Sequence, residues 1–393
     1  MIMATDRIRP IETLNVEDIL NALGIDPGVN AGELVSYYMI PGNYGPRWLI
    51  PAGSRAAAAV LGNWHPYNLS SRMKWYAIRM AARAGVLQCI HSVSKVNASR
   101  TGALRWFERC GLQSEAGEIV ILTGNPSPDR KLIVFLLDKS KRIAAVLKVG
   151  LTEGGGLSVV HEAEVLLKLE PFNWAPKILS IHPDLRAAAQ EYVPGVMPGR
   201  KFLPEYMDLL CRLPRSGHST SLANVAGELA SRLHPCKEQL DKIAPDILDR
   251  SLRCLDRDIS IPTMLVHGDF APWNMRNHPM KGYVLVDWEW ADFAGLPACD
   301  LLHFQFSNDR LFSKNGEGYE AIRRRSLCAE YFHRMDLDVE LLPRLSIAYL
   351  LNQLESKCIY RGRQKTGYIL RQLAACADEL MSVSQPSVQM PGQ

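Results

Sequence analysis

TMLVHGDFAPWNMRNHPMKGYVLVDWEW, residues 263–290, sets two acids and an amide at the ends of two short apolar runs. Residues 264–266 and 283–286 read as short buried strands, bounded by glycine and proline punctuation. Asp269 follows the first strand and Asp287 ends the second. Pairing of the two strands would bring Asp269, Asn274 and Asp287 to one rim, where an in-line phosphoryl displacement needs a base and two oxygen ligands for magnesium. A lone aspartate after a strand is more often a turn or a helix cap. The combination is what points to chemistry.

Each side chain suits one part of that reaction. The Asp269 carboxylate can accept a hydrogen bond from a substrate hydroxyl, orient it and take its proton late, without an unusual pKa. Asn274 and Asp287 are hard oxygen donors. One amide beside one carboxylate leaves coordination positions for phosphate oxygens and water, so the magnesium is expected to arrive with its nucleotide.

HGDFAPWN followed by VDWEW resembles the aminoglycoside phosphotransferase and choline kinase family, a branch of the protein-kinase-like fold. The catalytic loop of that family reads HGD-x4-N and its metal motif begins with Asp. The resemblance implies that Asp269 is the catalytic base, that Asn274 and Asp287 are the magnesium ligands, and that His267 packs and orders the loop. It also implies that Asp300, in LPACDLLHF, braces the loop and is structural rather than chemical.

The implied fold requires a nucleotide-binding lobe upstream. Residues 119–123, 132–138 and 143–149 have the apolar, β-branched character of three strands, joined by the turns GNPSPDRK and KSKR. Lys148 lies midway along the third strand, and a helical segment, HEAEVLLKLE, carries Glu162. The two are expected to form the ion pair that aims an ammonium at the α and β phosphates of ATP. QEYVPG, residues 190–195, resembles the link between lobes, so the Glu191 carbonyl and the Val193 amide are the expected adenine contacts. The turn at 124–131 holds one glycine, so the flexible flap of protein kinases is missing, as it is in the small-molecule relatives. The triple glycine at 154–156 reads as a loop.

With 393 residues, 47% apolar and 22% charged, the chain is long enough for two lobes and an extension. It lacks an 18-residue apolar run and a signal-like start, which predicts no transmembrane segment and a cytoplasmic protein. Nine cysteines without a C-x-x-C pair read as buried thiols, not disulfides or a zinc site. The expected architecture is an α+β, two-lobed protein-kinase-like fold. Its parts are an N-terminal α/β extension (1–110), an N-lobe with a small antiparallel sheet (111–193), a mainly helical C-lobe (194–381) and a disordered tail (382–393).

In the extension, Asn15 can cap a short helix ending near Gly24, and LVSYYMI and RWLI read as strands around PGNYGP. Leu69, Met73, Tyr76 and Met80 recur at helical spacing, with Arg72, Arg79 and Arg83 on an adjacent face. That basic face could rest on an anionic membrane or grip an acidic ligand. The plainer reading, a helix packed on the kinase-like lobe with its basic face in water, is preferred, and no nucleic-acid partner is expected.

Residues 301–380 hold twelve Lys or Arg against ten Asp or Glu, so the carboxylate-rich cleft that a polycationic aminoglycoside needs is not evident. The expected function is an ATP-dependent, magnesium-requiring phosphotransferase acting on a hydroxyl of a sugar, sugar phosphate or polyol. The alternative is a catalytically vestigial, nucleotide-binding pseudokinase or scaffold that acts through a partner.

Overall fold

The computed structural model describes residues 14–26, 34–62, 66, 69–90, 93–112, 117–312, 318–360 and 366–383. By contacts the chain divides into two units, Met1–Met197 with Arg276–Glu289, and Pro198–Met275 with Trp290–Gln393. It is a mixed helix and sheet fold with an antiparallel main sheet.

The first unit is built on β1 (Leu34–Gly42), β2 (Gly45–Pro51), β3 (Ser94–Ser99), β4 (Glu118–Thr123), β5 (Lys131–Leu137), β6 (Ile143–Gly150), β7 (Ile178–His182) and β8 (Ala187–Glu191). They form one eight-stranded sheet in the order β3-β1-β2-β4-β5-β6-β8-β7. Trp48 and Leu49 of β2 pair with Leu122 and Ile121 of β4. The strands of residues 1–110 therefore continue the sheet of residues 111–193, which gives the open edge of β4 a partner.

Strand alternation sorts the side chains into two cores. Leu132, Val134 and Leu136 of β5 and Ala145, Leu147 and Val149 of β6 pack with Ile19 and Leu20 of α1 (Val16–Ala22) and with Trp106 and Phe107 of a further helix, Arg100–Arg109. Asn15 caps α1 in a capping box, its side chain accepting from Asp18 N at 2.8 Å. On the opposite face, Phe135, Leu137 and Val146 meet α2 (Ala57–Gly62) and α3 (Leu69–Ala84). Lys148, two residues beyond Val146, falls on this second face by the same period.

α3 differs from expectation in which side it buries. Ala82 is fully buried, Trp75 and Ile78 pack against the second core, and the Trp75 indole lies 5.5 Å from Trp48 while donating to Leu61 O at 3.0 Å. Met73, Tyr76 and Met80, the expected core stripe, are 69%, 62% and 42% exposed. The sequence offers two apolar faces, and the indole decides between them because it buries more area and finds a carbonyl for its N–H.

The helix Arg100–Arg109 is α4, and the triple glycine is helix rather than loop, opening α5 (Glu153–Lys168). Gly154 to Gly156 lie in the first turn of α5, where Thr152 caps by accepting from Gly155 N at 3.0 Å. A Cβ on Gly155 would stand 2.2 Å from Arg130 O. The glycines let this helix end approach the neighbouring backbone closely, which outweighs their poor helix propensity.

Downstream lie β9 (Arg215–Ser221), β10 (Ser260–Val266), β11 (Met275–His278), β12 (Gly282–Leu285) and β13 (Asp292–Gly295). β10 sits between β9 and β13, whereas β12 pairs with β11. The expected pairing of residues 264–266 with 283–286 is thus absent. The polar MRNH segment is itself the strand that takes β12, through a turn closed by Gly282 at φ +75°.

The second unit is otherwise helical. Helices Leu222–Leu233, Ile247–Leu255, Cys299–Phe312, Leu342–Tyr360 and Gly367–Val383 bury Leu229, Leu248, Leu302, Leu345, Leu351 and Leu373. The helix Gly367–Val383 takes in Ser382 and Val383, the first two residues of the expected tail; residues 361–365 and 384–393 lie outside the described residues. The described cysteines are free thiols, but only Cys110, Cys328 and Cys376 are buried and Cys89 is exposed, so the expectation of uniformly buried thiols fails. Among the described residues no helix is long and apolar enough to cross a membrane.

Candidate active site

In the second unit, β10 delivers the chain to a tight turn at His267, Gly268 and Asp269. Gly268 has φ +81°, and a Cβ there would lie 2.2 Å from Trp290 O. No L side chain fits without moving backbone. Gly268→Ala is expected to cost about 3 kcal/mol, from the left-handed conformation and the overlap together. A thermal midpoint matching the wild type would refute that estimate.

Asp300, in the first turn of Cys299–Phe312, is buried. Its two oxygens accept from His267 N at 2.7 Å and from Gly268 N at 2.9 Å. Two backbone donors that the turn leaves without a ladder partner are thereby satisfied. Burial pushes the Asp300 carboxyl up, while the nearby His267 and these backbone bonds work the other way. His267 is fully buried, and its Nδ1 stands 3.3 Å from Asp269 N.

The Asp269 carboxylate is held at both oxygens. Oδ1 lies 2.7 Å from His303 Nε2, and Oδ2 accepts from Asn274 Nδ2 at 2.8 Å. Asn274 Nδ2 also reaches Asp269 O at 3.0 Å. His303 in turn has Nδ1 3.3 Å from the Tyr349 hydroxyl. A neutral ring with the proton on Nε2 satisfies both contacts, donating to Asp269 and accepting from Tyr349. His303 escaped the sequence reading. It stands three residues after Asp300 on one helix, so both side chains face the same loop, and that i, i+3 spacing was the available signal.

In the first unit a cluster of charges gathers on the Lys148 face of the sheet. Lys148 Nζ donates to Glu162 Oε1 at 2.7 Å, Glu162 Oε2 at 2.6 Å and Asp287 Oδ1 at 2.6 Å. The expected pair of Lys148 and Glu162 is present in the geometry, and Trp288 N adds a 3.1 Å bond to Glu162 Oε1. Burial alone would lower the Lys148 pKa, but the Asp287 and Glu162 carboxylates outweigh it and the ammonium is held above its usual range.

Two further charged members were not read from the sequence. Lys131 Nζ lies 2.5 Å from Glu289 Oε2 and 3.3 Å from Asp287 Oδ1, and Ser158 Oγ donates to Glu289 Oε2 at 2.5 Å. Lys131 has the same strand parity as Ile133, which pairs with Lys148. Glu289 follows Asp287 by two in VDWEW. Both signals were in the sequence, but neither has meaning until strand parity is known. Burial and the Asp287 charge push the Glu289 carboxyl up, opposed by Lys131 and Lys148. Asp287 itself has φ +70°, a strained conformation for a residue with a side chain.

Glu191 ends β8; its N–H bonds Lys177 O at 2.8 Å and its carboxylate accepts from Lys281 Nζ at 3.0 and 3.2 Å. Val193 is buried two residues on. Of the expected site residues, Glu162 and Asp287 both bond Lys148 in the first unit, and His267, Asp269, Asn274 and Asp300 form one network in the second.

Residues 134–337, more than half of the chain, match the sequence profile of the phosphotransferase enzyme family. Similar solved structures include an ethanolamine kinase of Plasmodium vivax, at 13% identity and TM-score 0.46 over 83% of this chain and 94% of that one. Choline kinase LicA from Streptococcus pneumoniae aligns at 13% identity and TM-score 0.43, over 64% and 89%. An aminoglycoside phosphotransferase from Alicyclobacillus acidocaldarius aligns at 16% and 0.39, over 64% and 87%. These are likenesses of fold alone. No curated protein matches the chain.

Proposed function

The chain belongs to the phosphotransferase enzyme family, and from that premise we propose that it moves the γ-phosphoryl group of ATP to a hydroxyl of a small neutral or anionic molecule. The observation that carries the reading is the Lys148 ammonium. It is buried at 5% exposure with all three donors spent on Glu162 and Asp287. Burying that many charges is costly, and a core of the same volume could be built from apolar side chains at less expense. A nucleotide phosphate gives the cluster a purpose.

In this reading Glu162 holds Lys148 in place through two bonds, and the third donor passes from Asp287 to a phosphate oxygen when ATP binds. The Glu191 carbonyl and Val193 amide receive adenine. On the catalytic loop, Asp269 accepts the acceptor hydroxyl's hydrogen bond and takes its proton as the oxygen attacks phosphorus. His303 and Asn274 keep the carboxylate from rotating. Asp300 and His267 hold the loop backbone, and neither takes part in proton transfer.

Asp287 and Asn274 would each offer magnesium a hard oxygen donor. Asp287 is an anion that already draws two ammoniums, and Asn274 spends its nitrogen on Asp269, so its oxygen is the hard donor end. When bound with ATP the metal would neutralise developing charge on the phosphates. The near-balance of Lys, Arg, Asp and Glu across residues 301–380 favours a sugar, sugar phosphate or polyol over a polycation. The free thiols at the described cysteines accord with a cytoplasmic setting.

Thermal denaturation with and without ATP and magnesium tests the reading. At a hundred times its dissociation constant, ATP is expected to stabilise the wild type by about 2.7 kcal/mol. The shift should depend on magnesium and vanish in Asp287→Ala. Absence of a shift with any nucleotide would overturn the phosphotransferase proposal.

A further inference from the structure

α3 presents water with an apolar face that a helix docked on a sheet has no reason to keep. Its inward side is filled by Trp75, Ile78 and Ala82. Met73, Tyr76 and Met80, at spacings of three and four, form a second stripe on the outer side and are exposed. Arg72 and Arg83 stand exposed along one flank of that stripe, with Arg79 half-buried between them, and Lys74 is exposed along the other. The helix contains no acidic residue.

The charge imbalance reaches well beyond the helix. Residues 34–107 contain nine Lys or Arg and no Asp or Glu, in a chain whose formal net charge is only +4. Four of the nine, Arg72, Lys74, Arg79 and Arg83, lie on α3 itself, whereas Arg100 and Arg105 belong to the helix that covers the opposite face of the sheet. An ordinary solvated helix face mixes signs.

We propose that α3 docks on an anionic lipid surface, with Met73, Tyr76 and Met80 entering the headgroup boundary and Arg72, Arg83 and Lys74 meeting the lipid phosphates. The layout, apolar at the centre and cationic at the rims, is that of a helix lying in an interface. A nucleic-acid surface would be met by cations along the centre of the contact. Tyr76 suits the boundary because its ring is apolar and its hydroxyl stays wet. The 16-residue helix is too short to span a bilayer, so it lies on the surface. Four cations on a helix without acids suit an extended anionic sheet. This inference stands apart from the catalytic reading and survives its failure.

Co-sedimentation of the full chain with lipid vesicles tests it. Binding is expected to vesicles of phosphatidylcholine with about 30% phosphatidylglycerol, and to be weak with phosphatidylcholine alone. The pair Met73→Glu and Met80→Glu, and separately Arg72→Glu and Arg83→Glu, should each lower partitioning by roughly tenfold or more. These side chains, apart from their own exposed surface, hold nothing in the core, so each variant should keep the wild-type thermal midpoint. Failure of the wild-type chain to sediment with anionic vesicles overturns the proposal whatever the variants do. So does undiminished binding by the Met pair, which would leave charge alone at work. Binding to a mixed-sequence DNA or RNA duplex without binding to vesicles would reassign the surface to nucleic acid.

Discussion

Asp269→Asn is expected to lower kcat for phosphoryl transfer by ~10³- to 10⁴-fold while leaving the ATP-induced thermal shift in place. The amide keeps the size of the side chain, but its one oxygen can accept from His303 or from Asn274 and not from both, and it cannot take a proton from the acceptor hydroxyl. The fold should hold, because the loop backbone is tied by Asp300 through His267 N and Gly268 N rather than by Asp269. Steady-state kinetics on an identified acceptor give the readout. Activity within tenfold of wild type would show that Asp269 is not the base, and a lost ATP shift would show that its role is in nucleotide binding.

Lys148→Met should abolish the ATP-induced shift and destabilise the chain by about 3–5 kcal/mol, the usual cost of taking one partner from a buried ion pair. Glu162, at 2% exposure, would lose the ammonium that takes both its oxygens and would face the Asp287 and Glu289 carboxylates across a site with Lys131 as its cation. The pH dependence has a definite sign. The folded-state pKa of Lys148 is raised above the free value of 10.5, so its stabilising contribution is complete below that pH. It is lost as pH climbs through the folded value. The stability gap between wild type and variant should therefore hold steady through neutral pH and narrow above about 10.5. Chemical denaturation at a series of pH values measures it, and a gap that widens in alkali would contradict the ion-pair account.

Much of this was legible in residue order because the relevant forces are local. The strands β4, β5 and β6 appear within one residue of their expected bounds, since β-branched runs closed by Gly, Pro and Asp leave the backbone few alternatives. The helix capped by Asn15 was readable for a similar reason, because a side chain three residues from a backbone N–H needs no tertiary partner. Glu162 could be matched to Lys148 because a strand and the helix after it must pack together. Membership in the phosphotransferase family rests on the match over residues 134–337, a stretch that contains HGDFAPWN and VDWEW.

What failed to be legible depended on choices between near-equal alternatives. Met73, Tyr76 and Met80 have as good a helical period as Trp75, Ile78 and Ala82, and only the Trp48 ring and the Leu61 carbonyl on the sheet decide which set goes inward. Gly154 to Gly156 break a helix by propensity, yet close approach to the Arg130 carbonyl admits nothing larger. MRNH looks like a connection until β12 needs a partner. His303, Lys131 and Glu289 are ordinary polar residues in the sequence and acquire partners only when strand parity and helix phase bring them within 3 Å of Asp269 or of one another. The sequence by itself determined the candidate residues and most of the local elements that carry them, because both are written in short covalent spacings. The tertiary structure alone decided which faces are buried and which second residues hold the charged groups, because burial and long-range ion pairing are settled by competition among surfaces distant in the chain.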